Sequence, residues 1–219
     1  MKREIITTND GSSSIYIPEM DETYHSVHGA VQEALHVFIK NGLGLFSGNE
    51  INVFELGFGT GLNALLSEQY SSQNNISINY HSIEAFPVEV SMVNLLNYND
   101  IIKYNIEVFD SIHSARWEVL NRISETFQLK KIEAKIQGFE LDKNHYDIVF
   151  FDAFGPRAQS EMWSIEILQK MYDGLKPDGK LVTYCAQGQF KRDLKSIGFK
   201  VENLPGPPGK REMTLAIKL

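Results

Sequence analysis

Three short stretches hold the residues whose types and spacing could do chemistry. The first is Glu55-Leu56-Gly57-Phe58-Gly59-Thr60-Gly61-Leu62-Asn63, with glycines at every second position behind an acid. Glycine tolerates the dihedrals of a tight turn and lets a ligand approach the backbone closely. A dinucleotide fingerprint reads G-x-G-x-x-G and receives a pyrophosphate. Here an acid precedes the first glycine, which would repel a pyrophosphate and welcome a cation. S-adenosylmethionine, with its sulfonium and ammonium, fits this turn better than NAD. The second stretch is the acid Glu84, 29 residues beyond Glu55, whose carboxylate can accept two hydrogen bonds from a ribose diol. The third is Asp152-Ala153-Phe154-Gly155-Pro156, a carboxylate followed by an aromatic face.

The elements that must position these residues follow from periodicity. An apolar, β-prone run over 51–56 leads into the glycines, and helix-forming residues follow from Leu62. Residues 76–84 read as a second strand ending at Glu84, with a polar insert at 71–75 before it. Pro87 can open a helix over 88–96, because its missing N–H is no loss in a first turn. Two candidates exist for the third strand, 106–109 and 127–133. The longer alternation favours 127–133, which leaves Asp110 in a loop and places Ala134-Lys135 at the strand tip. Residues 146–152 are almost continuously apolar, as in a parallel strand buried on both faces. They deliver Asp152 to the carboxyl end of the sheet, where such sheets bind ligands. A helix over 162–175, a turn at Lys176-Pro177-Asp178-Gly179, and strands at 181–185, near 199–201 and at 213–217 complete the pattern, with a helix over 189–196 between them. Before the main domain, residues 1–20 read as a β-hairpin around Asn9-Asp10-Gly11-Ser12. Residues 20–26 read as a loop carrying Tyr24 and His25, followed by His28 and an amphipathic helix that ends at Asn41-Gly42.

Composition narrows the classes. With 219 residues, 42% of them hydrophobic and 22% charged, the chain suits one globular domain with a small extension. We divide it into an extension over 1–45 and a Rossmann-like domain over 46–219, with an insertion near 97–125 that carries Trp117. No apolar run is long enough for a bilayer, and no signal peptide is evident at the start. One cysteine, Cys185, excludes an intramolecular disulfide and points to a reducing cytoplasm. The histidines are scattered and no Cys/His cluster has metal-ligand spacing, so no metal is expected. A net charge of −7 argues against a general nucleic-acid binder but permits a local basic patch.

Taken together, Phe54 to Asn63, Ile83-Glu84-Ala85-Phe86-Pro87, Asp152 to Pro156 with Glu161-Met162-Trp163, and Gly209-Lys210-Arg211-Glu212-Met213 carry a specific resemblance. From about Tyr24 onward, the chain resembles the methyltransferase half of the bifunctional tRNA wobble-uridine enzyme MnmC and the stand-alone form of that half. The turn before residue 181 is also frequent before the fifth strand of class I methyltransferases. The resemblance implies an α/β, class I S-adenosylmethionine-dependent methyltransferase (Rossmann-like) fold. Its sheet would be seven-stranded and mostly parallel, with an antiparallel last strand. It also implies methylation of the amine of 5-aminomethyl(-2-thio)uridine at position 34 of tRNA, without the flavin-dependent oxidation of the fused enzymes. Two positions depart from the family: Ala134-Lys135, near a Gly-Asp pair, and Gly155, often alanine.

On this reading the cofactor lies against Glu55, Gly57, Phe58, Gly59, Gly61, Asn63, Glu84, Ala85 and Asp152. Asp152 accepts an N–H from the amine and helps remove its proton, or else contacts only the methionine ammonium. Tyr24, Phe154, Pro156 and Trp163 surround the flipped-out uracil, although Trp163 also reads as core. Lys210 and Arg211 meet tRNA phosphates; Lys191, Arg192 and Lys195 read more simply as a solvated helix face. The alternatives are a class I methyltransferase for a small-molecule amine or carboxylate, and a non-catalytic nucleoside-binding domain.

Overall fold

A computed structural model describes residues 2–219. The chain opens with a three-stranded antiparallel sheet, β1 (Glu4–Thr7), β2 (Ser13–Ile17) and β3 (Glu22–Thr23). The expected hairpin is β1–β2; within the stretch read as a loop, Glu22 and Thr23 pair with Ile17 and Tyr16. Helix α1 (Ala30–Ala34) then runs into a π-helical turn, Leu35–Lys40. Gly29 gives this helix no side-chain cap. The hairpin turn caps it instead: Gln32 N–H donates to Asp10 at 3.0 Å, Ala30 N–H to Thr8 and Val31 N–H to Ser12, both at 3.4 Å. Three orphan donors of the first turn are thereby satisfied from outside the helix.

The main domain runs β4 (Glu50–Leu56), α2 (Leu62–Asn74), β5 (Ser77–Glu84), α3 (Val90–Val93), α4 (Tyr98–Ile102), α5 (Ile106–Ser114), β6 (Leu120–Arg122), β7 (Phe127–Glu133), β8 (Tyr146–Phe151), α6 (Ile165–Gly174), β9 (Leu175–Thr183), α7 (Gly188–Ile197), β10 (Phe199–Pro205) and β11 (Glu212–Lys218). The sheet order is β10-β11-β9-β8-β4-β5-β7-β6. Strands β7, β5, β4, β8 and β9 are parallel, and β11 is antiparallel to both β9 and β10. The seven expected strands are all present. An eighth, β6, is added by the insertion as an antiparallel edge.

Alternation along the strands divides the interior. Val53, Ile78 and Ile148 pack with Leu65 of α2 and with Ile15, Val31 and Phe38 of the extension. Phe54, Val149 and Phe151 face Leu168 and Met171 of α6 and Leu194 of α7. The extension therefore shares a core with the sheet.

Four local expectations change. Residues 71–74 are the last turn of α2, ended by Asn75 at φ 53°, rather than an insert. The third strand is 127–133, as expected, but 106–109 lie in α5, so Asp110 is an exposed helix residue and not a loop residue. Pro87 opens no helix: the Arg3 guanidinium donates to the Phe86 and Pro87 carbonyls at 2.7 and 3.0 Å, Glu89 is extended, and the helix begins only at Val90. The helix expected from residue 162 begins at Ile165, after a 3₁₀ turn over Ser160–Trp163.

Candidate active site

The site forms where β4, β5, β7 and β8 end. Gly57, directly after β4, adopts φ 97°, and a Cβ there would stand 2.6 Å from the Asp152 carbonyl oxygen. The two strand tips are thus too close for any side chain at this position. Gly59 has φ 50°, and a Cβ there would press on the Tyr24 ring at 3.1 Å. Its N–H donates to Glu84 Oε2 at 3.0 Å, while Phe86 N–H donates to Oε1 at 2.9 Å. Glu84 thus ties the glycine loop to the loop after β5, and each of its oxygens retains a free lone pair.

Between these loops and the N-terminal sheet lies a cleft of about 680 Å³, a size typical of small-molecule sites. It is lined by Gly57, Phe58, Gly59, Asn63, Glu84, Ala85, Asp152, Tyr24, Phe154 and Lys210 among the residues singled out from the sequence. Asp152 lies on the floor, where Asn63 Nδ2 donates to its Oδ2 at 2.8 Å. Burial there, with the nearby Glu33 carboxylate, pushes the Asp152 carboxyl up to about 7, against the opposing Asn63 hydrogen bond and Lys210 charge. Tyr24 meets Phe154 edge-on with ring centroids 5.0 Å apart, and the Arg3 guanidinium lies 5.8 Å from the Tyr24 ring. Tyr184 O–H donates to the Ala153 carbonyl at 2.8 Å, fixing the backbone next to Asp152.

Five residues read as site residues are not on the cleft wall. Glu55 is completely enclosed, because its side chain turns to accept from Ser82 at 2.6 Å. Gly61 is the left-handed N-cap of α2. Pro156 belongs to the turn beyond Gly155. Trp163 is core: its ring packs on Phe151 and Phe190 at 4.9 and 5.0 Å, and its Nε1–H donates to the Phe154 carbonyl at 2.8 Å. It supports the Phe154 loop from beneath and offers no free face to a base. Arg211 is exposed.

Lys210 is in the cleft but is not a free cation. Its ammonium pairs with Glu33 and sits 3.8 Å from the centroid of the Tyr184 ring. Lys191 pairs with Glu212 at 3.0 Å, as suits a structural helix face. His25 lines the cleft; burial brings its imidazole down to about 4, so it is neutral, and it shares Thr60 Oγ1 with the Tyr98 hydroxyl at 2.7 and 3.1 Å. His28 is exposed and lies against Gly209, away from the cleft.

The sequence reading missed Glu33, Arg3 and Tyr184. Glu33 carried a signal, an acid amid the apolar positions 30, 31, 34 and 37 of a helix. Arg3 and Tyr184 carried none, since each acts through a contact made across the fold.

The residues present suit S-adenosylmethionine. Glu84 offers a carboxylate at the tip of β5, the glycine loop admits a close ligand, and acids at Asp152, Glu33 and Glu84 bias the cleft toward a cationic guest. Among the described residues there is no group of three or more His, Cys, Asp or Glu that could hold a metal. No helix there is long and apolar enough to cross a membrane.

A sheet of this order with a glycine turn, a strand-end acid and an aspartate converging on one cleft defines a class I methyltransferase. The sequence profile of the S-adenosyl-L-methionine-dependent methyltransferases matches residues 101–219, and the chain belongs to that family. It is 30% identical to the tRNA 5-methylaminomethyl-2-thiouridine biosynthesis bifunctional protein MnmC of Cupriavidus metallidurans, over 97% of this chain and 33% of that protein. It is 29% identical to the protein of the same name from Leptospira interrogans, over 90% of this chain and 32% of that protein. The chain thus spans about a third of these curated relatives. The crystal structure of MNMC2 from Aquifex aeolicus superposes with a TM-score of 0.78 over 98% of this chain and 69% of that one, at 23% identity. That likeness establishes the shared fold.

Proposed function

We propose that this chain methylates the amine of 5-aminomethyl(-2-thio)uridine at wobble position 34 of tRNA. The relatives' names support the substrate class, and the portion matched is the portion with the methyltransferase fold. The observation that carries the chemistry is Asp152, steadied by Asn63 on the floor of a cleft walled by Tyr24 and Phe154.

The glycine loop, Glu84, Ala85 and Asn63 would hold S-adenosylmethionine, which would supply a methyl group on a positively charged sulfur, the C–S bond breaking to leave neutral S-adenosylhomocysteine as the C–N bond forms. The protein's remaining work is to align a neutral amine with that methyl and to keep water out. Asp152 accepts an N–H of the amine, directs its lone pair and takes the proton released as the C–N bond forms. A carboxyl near 7 suits this exchange at neutral pH, since it is substantially ionised yet basic enough to hold the proton. Tyr24 and Phe154 give the pyrimidine an aromatic wall, and the apolar lining helps exclude water.

The test uses tRNA from cells lacking the wobble-uridine methyltransferase, incubated with the protein and labelled S-adenosylmethionine. Label in methylaminomethyl-uridine, lost in Asp152→Ala, supports the reading; absence of label with cofactor binding intact overturns it. One observation favours the second reading, a small-molecule amine as acceptor. Lys210, one of two cations expected to meet phosphate, is engaged by Glu33 inside the cleft.

A further inference from the structure

Behind the cleft floor lies a group of buried polar atoms without partners. Glu55 Oε1, Asn63 Oδ1, Ser67 Oγ and Tyr80 OH each make no hydrogen bond, and their side chains are enclosed to within a few per cent. Two contacts anchor the group: Ser82 O–H donates to Glu55 Oε2 at 2.6 Å, and Asn63 Nδ2 donates to Asp152 Oδ2 at 2.8 Å. Glu55 is faced by Tyr80 and Ser82 from β5, by Asn63 from α2 and by Asp152 after β8. None of these is a cation, and Glu55 takes part in no ion pair among the described residues.

An enclosed carboxylate with no cation beside it is strongly disfavoured, and burial pushes Glu55 up to about 8. Protonation also pairs two of the four atoms, Glu55 Oε1 and Asn63 Oδ1. Asn63 and Tyr80 both lie beside Glu55 and their N–H and O–H would favour its ionised form, but burial outweighs them. A hydrogen on Glu55 Oε1 turns an orphaned acceptor into a donor to the orphaned Asn63 Oδ1. The amide is then fixed at both ends, its oxygen by Glu55 and its nitrogen by Asp152, which also settles which end of Asn63 is which.

We propose that Glu55 acts as a neutral carboxylic acid outside the cofactor cavity, a positioning residue that orients the Asn63 amide and, through it, Asp152. This departs from the motif-based expectation of an ionised Glu55 against the methionine ammonium. The part concerning Asp152 rests on its role as the base in the proposed function.

Glu55→Gln separates the two, because glutamine keeps the shape and an N–H donor but carries no charge. We expect Glu55→Gln to bind S-adenosylhomocysteine within about twofold of wild type in titration calorimetry at pH 7, well short of a lost ionic contact. The infrared difference between wild type and Glu55→Gln at that pH should show the protonated-carboxyl C=O stretch of Glu55, since the band from a partly protonated Asp152 is common to both proteins. Glu55→Leu, which removes the donor, should shift the pH–rate inflection assigned to Asp152, while Glu55→Gln leaves it in place. A loss of affinity of about tenfold or more in Glu55→Gln, or no protonated-carboxyl band in that difference, overturns the proposal. Calorimetry and infrared need no acceptor, so they decide on Glu55 even if the wobble-uridine reading fails.

Discussion

Asn63 and Asp152, 89 residues apart, meet through a 2.8 Å hydrogen bond that joins the start of α2 to the end of β8. The bond holds one carboxylate oxygen and leaves the other for an acceptor amine. On the proposed function Asp152 must be ionised to accept the proton. The rate at low acceptor concentration, divided by the fraction of acceptor amine that is neutral, should therefore rise with pH, level off above about 7, and fall about tenfold per unit well below it. Asn63→Ala removes an N–H that favours the ionised form, so its inflection should lie higher. Asp152→Ala should lower the rate about 10²- to 10⁴-fold. A pH–rate profile of the three proteins checks this.

Gly57 and Gly155 flank the same floor and should respond oppositely to alanine. At Gly57, φ is 97° and the new Cβ meets the Asp152 carbonyl oxygen at 2.6 Å. The expected cost is about 2 kcal/mol or more, with cofactor binding lost alongside. At Gly155 the nearest atom to the new Cβ is the Tyr184 hydroxyl at 3.9 Å, and φ is not in the left-handed region. Gly155→Ala should leave stability within about 1 kcal/mol of wild type. Denaturant melts distinguish the pair.

Lys210 and its neighbour Arg211 should also separate. Lys210→Ala strands the nearly buried Glu33 carboxylate without its cation, so it should cost about 1–3 kcal/mol and raise the Asp152 inflection. Arg211→Ala should leave the melting midpoint unchanged. On the tRNA reading it should reduce the log–log salt slope of tRNA binding by about 1, which filter binding across a salt series measures.

Trp163 has a mechanical part to play. Trp163→Phe keeps most of the packing but leaves the Phe154 carbonyl without its donor, at about 1–3 kcal/mol. Because Phe154 lines the cleft, KM for the acceptor should rise while affinity for S-adenosylhomocysteine holds. Trp163→Ala should cost about 3–5 kcal/mol. Thermal melts and acceptor saturation curves check both.

Glu55 contributes a pH dependence of stability with a definite sign. Its folded-state value, about 8, lies above the ordinary 4.5, so the native state binds the proton more tightly. Its stabilisation is full below pH 4.5 and is lost as pH rises toward 8. Melting temperatures of wild type should therefore fall relative to Glu55→Gln between pH 5 and 8.

What the sequence determined by itself was whatever follows from local pattern. The buried run 146–151, the alternation of 127–133 and the glycine turn each depend on neighbours a few residues away. They placed the strands, the turn and Asp152 at the sheet's carboxyl edge. The 106–109 segment, a candidate strand by its apolar residues, is helix instead, with Asn105 as its cap accepting from Glu107 N–H at 2.9 Å. Tertiary structure alone decided where side chains at those positions point. Glu55 and Asp152 both sit at strand ends, yet a contact with Ser82 turns one away from the cleft while Asn63 holds the other on its floor. Arg3 occupies the carbonyls of residues 86 and 87, and Glu33 draws Lys210 from 177 residues away into the cleft. Such contacts depend on the packing of the N-terminal sheet and α1 against the domain, and no periodicity within a segment encodes them.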